Sequence, residues 1–215
     1  AIDPVVASLR EREFGRLDRE GVAYLDYTGS ALYAESQLRS HHALLARGVF
    51  GNPHSEHEPS RASGEWIERA RMEVLRFFDA DPNDHVVCFT ANTSAAVKLV
   101  AESYPFSSRS VLALSADNHN SINGIREYAR RAGSRLLYLP LDGDLRLDDP
   151  MRHLERARDG SLFAFPAQSN FSGVKHPLSL IDDAHALGFD VLLDAAAFAP
   201  SNPLSLRRHA ADFVA

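Results

Sequence analysis

Cysteine occurs once in this chain, at position 88, so no disulfide can form within it and no cysteine-rich metal site can be built. A lone thiol suits a reducing compartment. Lysine occurs only as Lys98 and Lys175. The formal net charge is -6, which leaves no basic footprint for nucleic acid or for an anionic membrane surface. No apolar run approaches the roughly 20 residues that a membrane-spanning helix needs. The first residues, AIDPVVASLREREF, are charged and lack the apolar core of a secretory signal. Neither G-x-G-x-x-G nor G-x-x-x-x-G-K-[ST] is present, which argues against dinucleotide sites and P-loops. There is no internal repeat, low-complexity tract or evident linker. Together these absences predict a soluble, cytoplasmic protein that binds neither nucleic acid nor membrane.

What is present is a regular alternation. The 215 residues are 45% hydrophobic, enough for one substantial core. VAYLDY (22–27) is a strand candidate. Residues 34–50 have helical spacing and end at the turn Gly51-Asn52-Pro53. A long helix is predicted over 60–80, with Trp66, Ile67, Ala70, Val74, Leu75 and Phe78 on its apolar stripe. Trp66, Phe77 and Phe78 are expected in the core. From there the pattern predicts strands at 85–90, 110–115, 135–141, 161–167, 190–196 and 211–215. The helices between them are predicted at 94–103, 121–133, 148–160 and 178–188, two of them closed by Gly133 and Gly188. Cys88, inside the first of these strands, is expected to be a buried, inert thiol. Such β–α alternation with apolar strands predicts a three-layer α/β/α fold around a mainly parallel, mixed sheet.

Ligands of such sheets sit at the carboxyl ends of the strands, so the residues just past each strand carry the chemistry. After 85–90 comes Ala91-Asn92-Thr93-Ser94 and then a helix. Free N–H groups and the helix dipole there favour an anion such as phosphate, or else Thr93 or Ser94 is an ordinary N-cap. After 110–115 comes Asp117-Asn118-His119, where an imidazole could stack on a planar ring or face solvent. After 161–167, Asn170 offers an amide to a ligand oxygen, or merely makes a turn with Ser172-Gly173. Strand 190–196 brings Asp194 to its end. A buried carboxylate is costly unless paired, and a protonated pyridine nitrogen, an arginine or an N-cap would each serve. His54-x-x-His57 has no third ligand and reads as polar rim rather than metal site. His41-His42 reads as a half-exposed pair on a helix.

The series Tyr24-Leu25-Asp26-Tyr27, Gly51-Asn52-Pro53-His54-Ser55, Phe89-Thr90-Ala91-Asn92-Thr93-Ser94, Asp117-Asn118-His119, Gln168-Ser169-Asn170-Phe171-Ser172-Gly173 and Leu193-Asp194-Ala195-Ala196 runs through essentially the whole chain. In order and spacing it resembles the class V aminotransferases, fold-type-I enzymes that use pyridoxal 5′-phosphate and include the cysteine desulfurases. The likeness is strongest to the aminotransferase-like domain of molybdenum cofactor sulfurases. The resemblance implies a large cofactor-binding domain over 51–215, incomplete at its C-terminus, preceded by a segment 1–50 that contributes to the active-site rim and to a homodimer contact. It implies that Asn92, Thr93 and Ser94 hold the cofactor phosphate, that His119 stacks on the ring, that Asn170 faces the ring hydroxyl and that Asp194 binds the ring nitrogen. Asn52, His54 and His57 would line the rim.

Three departures accompany the resemblance. Asn92 stands where the family usually has glycine, a replacement that a left-handed backbone would tolerate. Ala197 stands where housekeeping desulfurases have glutamine. The family's Schiff-base lysine would fall a few residues beyond Ala215, and neither Lys98 nor Lys175 matches it. The chain is therefore expected to be a fragment of a longer enzyme. The activity implied is C–S bond cleavage on an amino acid, as in a cysteine desulfurase or sulfurtransferase. The alternatives are an aminotransferase, racemase or epimerase of the same family, and a non-catalytic module that retains the fold.

Overall fold

The computed structural model describes residues 2–27 and 29–215. Their contacts divide the chain after Arg71 into two compact units.

The N-terminal unit is helical. α1 (Pro4–Phe14) starts with Asp3 as N-cap, its carboxylate accepting from the Val5 amide at 2.7 Å, and with proline at the first helical position. α2 (Arg16–Arg19) follows, then α3 (Glu35–Arg47) and α4 (Glu58–Phe77), which crosses into the second unit. Residues 22–27 form no strand. Their conformation is set by side chains: the Tyr24 hydroxyl donates to the Ser30 carbonyl at 2.6 Å, and the Tyr24 and Tyr27 rings meet edge to face. α3 lacks a capping side chain at Ala34, and the deficit is met from α1: Glu13 accepts the Ser36 amide at 2.9 Å. Trp66 is 44% exposed, with the Arg69 guanidinium over its ring, so the helical stripe holds but Trp66 is not core.

The second unit is an α/β sandwich. Its sheet comprises β1 (Val111–Ser115), β2 (Arg135–Leu139), β3 (Leu162–Pro166), β4 (Asp190–Asp194) and β5 (Phe213–Val214), in the order β2-β1-β3-β4-β5. Every pairing is parallel. Side chains alternate across it. Leu112, Leu114, Leu162, Ala164 and Leu192 pack with Val97 and Ala101 of α5 (Thr93–Ser103), with Ile122 of α6 (Asn120–Asn123), and with Ile125 and Ala129 of α7 (Ile125–Arg131). Ala113, Phe163, Phe165, Val191 and Leu193 face the other way, onto Leu75 of α4 and onto Ile181 and Ala184 of α8 (Leu180–Ala186). Both faces are thus covered, giving three layers.

Several elements differ from expectation. Residues 85–90 are irregular, with Val86 86% exposed, and Cys88 is exposed rather than buried. This stretch belongs to none of the five described strands of the sheet. It lines an apolar cavity of about 570 Å³ together with Phe213 and Val214. The helix expected at 121–133 is broken at Gly124 into α6 and α7, consistent with glycine's low helix propensity. The helix expected at 148–160 is a single 3₁₀ turn, Pro150–Arg152, after Asp149 in a left-handed conformation. Beyond it the Ala157 amide donates to the Leu187 carbonyl at 2.7 Å, a tertiary hydrogen bond in place of a helical one. Phe77 is 65% exposed, so it too lies outside the core.

Candidate active site

The strand order reverses direction between β1 and β3. In an open parallel sheet that switch point opens a crevice at the carboxyl edge, because the connections on its two sides run to opposite faces. His119 lies four residues past the end of β1, and Asn170 lies four residues past the end of β3. Both line one cleft of about 450 Å³, with Asn118, Leu141, Leu145 and Phe171.

His119 caps α6. Its Nδ1 accepts the Ser121 amide at 3.3 Å and lies 2.6 Å from the Ser121 hydroxyl. With Nδ1 accepting, the neutral ring carries its proton on Nε2. The ring is otherwise exposed, so it is oriented by the turn while its surface stays free. Asn170, also exposed, makes no hydrogen bond through its amide side chain among the described residues.

Asp194 is the last residue of β4 and is buried. Its Oδ1 accepts the Ala196 amide at 3.0 Å, and no arginine or lysine pairs with it among the described residues. Burial pushes its carboxyl above the ordinary carboxylate range, partly countered by the Ala196 hydrogen bond and by the nearby His119 ring. Of the alternatives open in the sequence, a partner arginine is therefore removed. A buried acid held by one amide, with no arginine or lysine beside it among the described residues, fits a cationic ring nitrogen.

The direction of α5 is set by its far end. Tyr104, its C-cap, donates its hydroxyl toward the Ser161 carbonyl (2.8 Å) and the Asp190 carboxylate (2.7 Å), both at the amino ends of β3 and β4. The N-terminus of α5 thus points toward the carboxyl edge, where His119, Asn170 and Asp194 lie. The N-cap is Asn92, neither Thr93 nor Ser94: its Oδ1 accepts the Ala95 amide at 3.0 Å. Its φ of -171° is extended backbone that any residue adopts, so glycine is not required there and left-handed tolerance plays no part. The Thr93 and Ser94 amides donate to nothing among the described residues, and the Ser94 side chain is exposed. Two free amides, a hydroxyl and the helix dipole fit a phosphate.

Asn52, His54 and His57 belong to the N-terminal unit. The Asn52 Oδ1 accepts the His54 amide at 3.0 Å, and His57 Nδ1 accepts the Ser60 amide at 3.3 Å, capping α4. The Gly51 amide donates to the Pro59 carbonyl at 3.0 Å, closing the loop on itself. Among the described residues no group of three or more His, Cys, Asp or Glu side chains could hold a metal ion.

Three residues beside the cleft were given no role of their own in the sequence, although Asp117 and Asn118 stand in the segment that carries His119. Asp117 and His176 form a buried pair, Oδ2 to Nε2 at 2.8 Å, and the Ser115 hydroxyl donates to the other oxygen of Asp117 at 2.8 Å. Burial alone would raise the Asp117 carboxyl, but the hydrogen bonds from His176 and Ser115 outweigh it and hold it below the ordinary range. The buried Asn118 donates from Nδ2 to the carbonyls of Ser115 (3.1 Å) and Ala164 (2.8 Å), leaving its Oδ1 unpartnered. For Asp117 and Asn118 the available signal was their place next to His119, in a polar run immediately after an apolar strand. His176, before Pro177, had none.

The Aminotransferase class-V family matches residues 23–215. The chain is 37% identical over 97% of its length to a molybdenum cofactor sulfurase of Oryza sativa subsp. japonica, and 38% identical over 96% to one of Bos taurus. It spans 30% and 25% of those two proteins. Among solved structures, the cysteine desulfurase CsdA of Escherichia coli superposes with a TM-score of 0.80 at 22% identity, covering 100% of this chain and 54% of that one.

Proposed function

Because the chain belongs to the class-V aminotransferase family, we propose that it binds pyridoxal 5′-phosphate at the carboxyl edge of its sheet, and that the protein uses it to cleave the C–S bond of an amino acid, L-cysteine being the substrate. The observation that carries this reading is Asp194, a buried carboxylate at a strand end with no arginine or lysine paired to it among the described residues. When bound, the cofactor supplies an electron sink for a bond breaking at the substrate's α-carbon. Asp194 keeps the ring nitrogen protonated, because a buried anion next to it favours the charged form. The Thr93 and Ser94 amides and the Ser94 hydroxyl hold the phosphate, with Asn92 shaping the turn. His119 covers the ring face and Asn170 donates to the ring oxygen. The loop with Asn52, His54 and His57 forms the rim, residues 1–50 contribute to a homodimer contact, and the protein works in the cytoplasm on a small amino acid. The relatives' names support the substrate class.

The test has two arms. The purified full-length protein is dialysed against the cofactor and then supplied with L-cysteine and a thiol reductant. Alanine and sulfide in equal amounts are expected, since two reducing equivalents from the thiol balance the cleavage. Uptake of cofactor with keto-acid formation and no sulfide would favour the aminotransferase alternative. Uptake with no turnover would favour a non-catalytic module, and no uptake would overturn the proposal.

A further inference from the structure

The ladder between β1 and β3 ends at Leu114 and Ala164. His119 and Asn170 lie beyond it, on two turns that sheet hydrogen bonds no longer join. The turn bearing Asn170 is closed at its base: Gln168 bridges Lys175, and the Ser169 amide donates to the Val174 carbonyl at 2.9 Å. His176 comes directly after that base, its amide donating to the Ala167 carbonyl at 3.1 Å. Asp117 sits two residues before His119. The Asp117–His176 hydrogen bond therefore spans from one turn to the other, with side chains 4% and 1% exposed.

The pair is directional. A carboxylate only accepts, so His176 Nε2 carries the proton and donates it. Ser115 fixes the second carboxylate oxygen, so the Asp117 side chain is held from two sides. Asn118 adds a parallel tether to the Ala164 carbonyl. Burying ionisable groups contributes little net stability over a packed apolar pair, whereas it fixes geometry. Resting on the cofactor reading proposed for this edge, we infer that Asp117 and His176 are positioning residues whose buried hydrogen bond sets the spacing between His119 and Asn170, and with it the fit of the cofactor ring.

Pyridoxamine 5′-phosphate is the probe, because it binds without bonding to a lysine. Its affinity is measured by equilibrium dialysis, ring orientation by the circular dichroism induced in its absorption band, and the phosphate subsite by competition with inorganic phosphate. Asp117→Leu and His176→Phe should weaken the probe by about ten-fold or more, the scale seen when residues supporting a bound metal's ligands are lost. The induced dichroism should fall, while inorganic phosphate competes as in wild type. His176→Gln, which keeps a donor within reach, should restore both signals. If an apolar variant fails to fold, His176→Asn replaces it: the side chain stays polar but is too short to reach Asp117. Folded variants that match wild type in affinity and dichroism overturn the inference. Equal loss of ring and phosphate affinity also overturns it, since that marks general damage. A wild-type protein that binds no probe overturns the cofactor reading itself.

Discussion

At the scale of single residues, Asp194 carries a cost as well as its proposed role. Burial raises its carboxyl above the ordinary value, so in the cofactor-free fold the ionised form is the strained one. The sign comes from proton linkage: between the unfolded and folded values the native state binds more proton, so stability falls as pH rises through that window. Asp194→Asn keeps an acceptor for the Ala196 amide and removes the charge. The cofactor-free variant should melt higher than wild type at neutral pH, each ~1 kcal/mol relieved being roughly 2–4 °C for a domain of this size. It should also lose cofactor affinity and turnover. Calorimetry and dialysis on the same preparations check both. A variant that melts lower, or that binds as tightly as wild type, contradicts the assignment. Asn92 is a milder case: Asn92→Gly should cost only a few tenths of a kcal/mol and Asn92→Ala ~1 kcal/mol, since its side chain supplies the cap of α5.

At the scale of elements, Glu13 links α1 to α3 where Ala34 offers no cap. Its carboxyl accepts the Ser36 amide and the Arg12 guanidinium, and these hold it at about 2 against an ordinary 4.5. The stabilisation is therefore complete above about 4.5 and disappears as pH falls toward 2. Glu13→Gln should lower helix content at neutral pH and flatten its acid dependence across that window, read by far-ultraviolet circular dichroism. An identical acid profile in the variant would remove Glu13 from the account. The helix stripes of α3 and α4 were legible because residues three to four apart share a face whatever lies opposite. Residues 85–90 and 148–160 were not, because their state depends on partners distant in sequence. The first has apolar residues suited to a strand but no described strand pairs with it, and the second trades a helical hydrogen bond for the Leu187 carbonyl.

At the scale of the whole molecule, His119, Asn170 and Asp194 were legible because a parallel sheet puts every strand's carboxyl end at one edge, and Asn92, Thr93 and Ser94 because they open helix α5. Asn92, Thr93, Ser94, His119, Asn170 and Asp194 each stand at the end of an apolar run or within a few residues past it. The supporting pair was not legible, since Asp117 and His176 are far apart in sequence and meet only after the sheet forms. The same geometry makes a prediction for hydrogen exchange. A ligand that binds only the native state stabilises it by ~2.7 kcal/mol at a hundred times its dissociation constant, and the amides it touches gain protection first. Pyridoxal 5′-phosphate should therefore slow exchange at 92–95, 117–121, 168–173 and 194–196. The amino-end residues 110–111, 135 and 161–162, at the opposite edge, should change only through global stability. The loop 51–57 is the informative case. Protection there on cofactor binding supports its place at the rim. Unchanged exchange at 51–57 alongside protection at the start of α5 and at the three strand ends removes Asn52, His54 and His57 from the site while leaving the cofactor proposal in place. Unchanged exchange at all four of these segments would leave the carboxyl edge without a ligand.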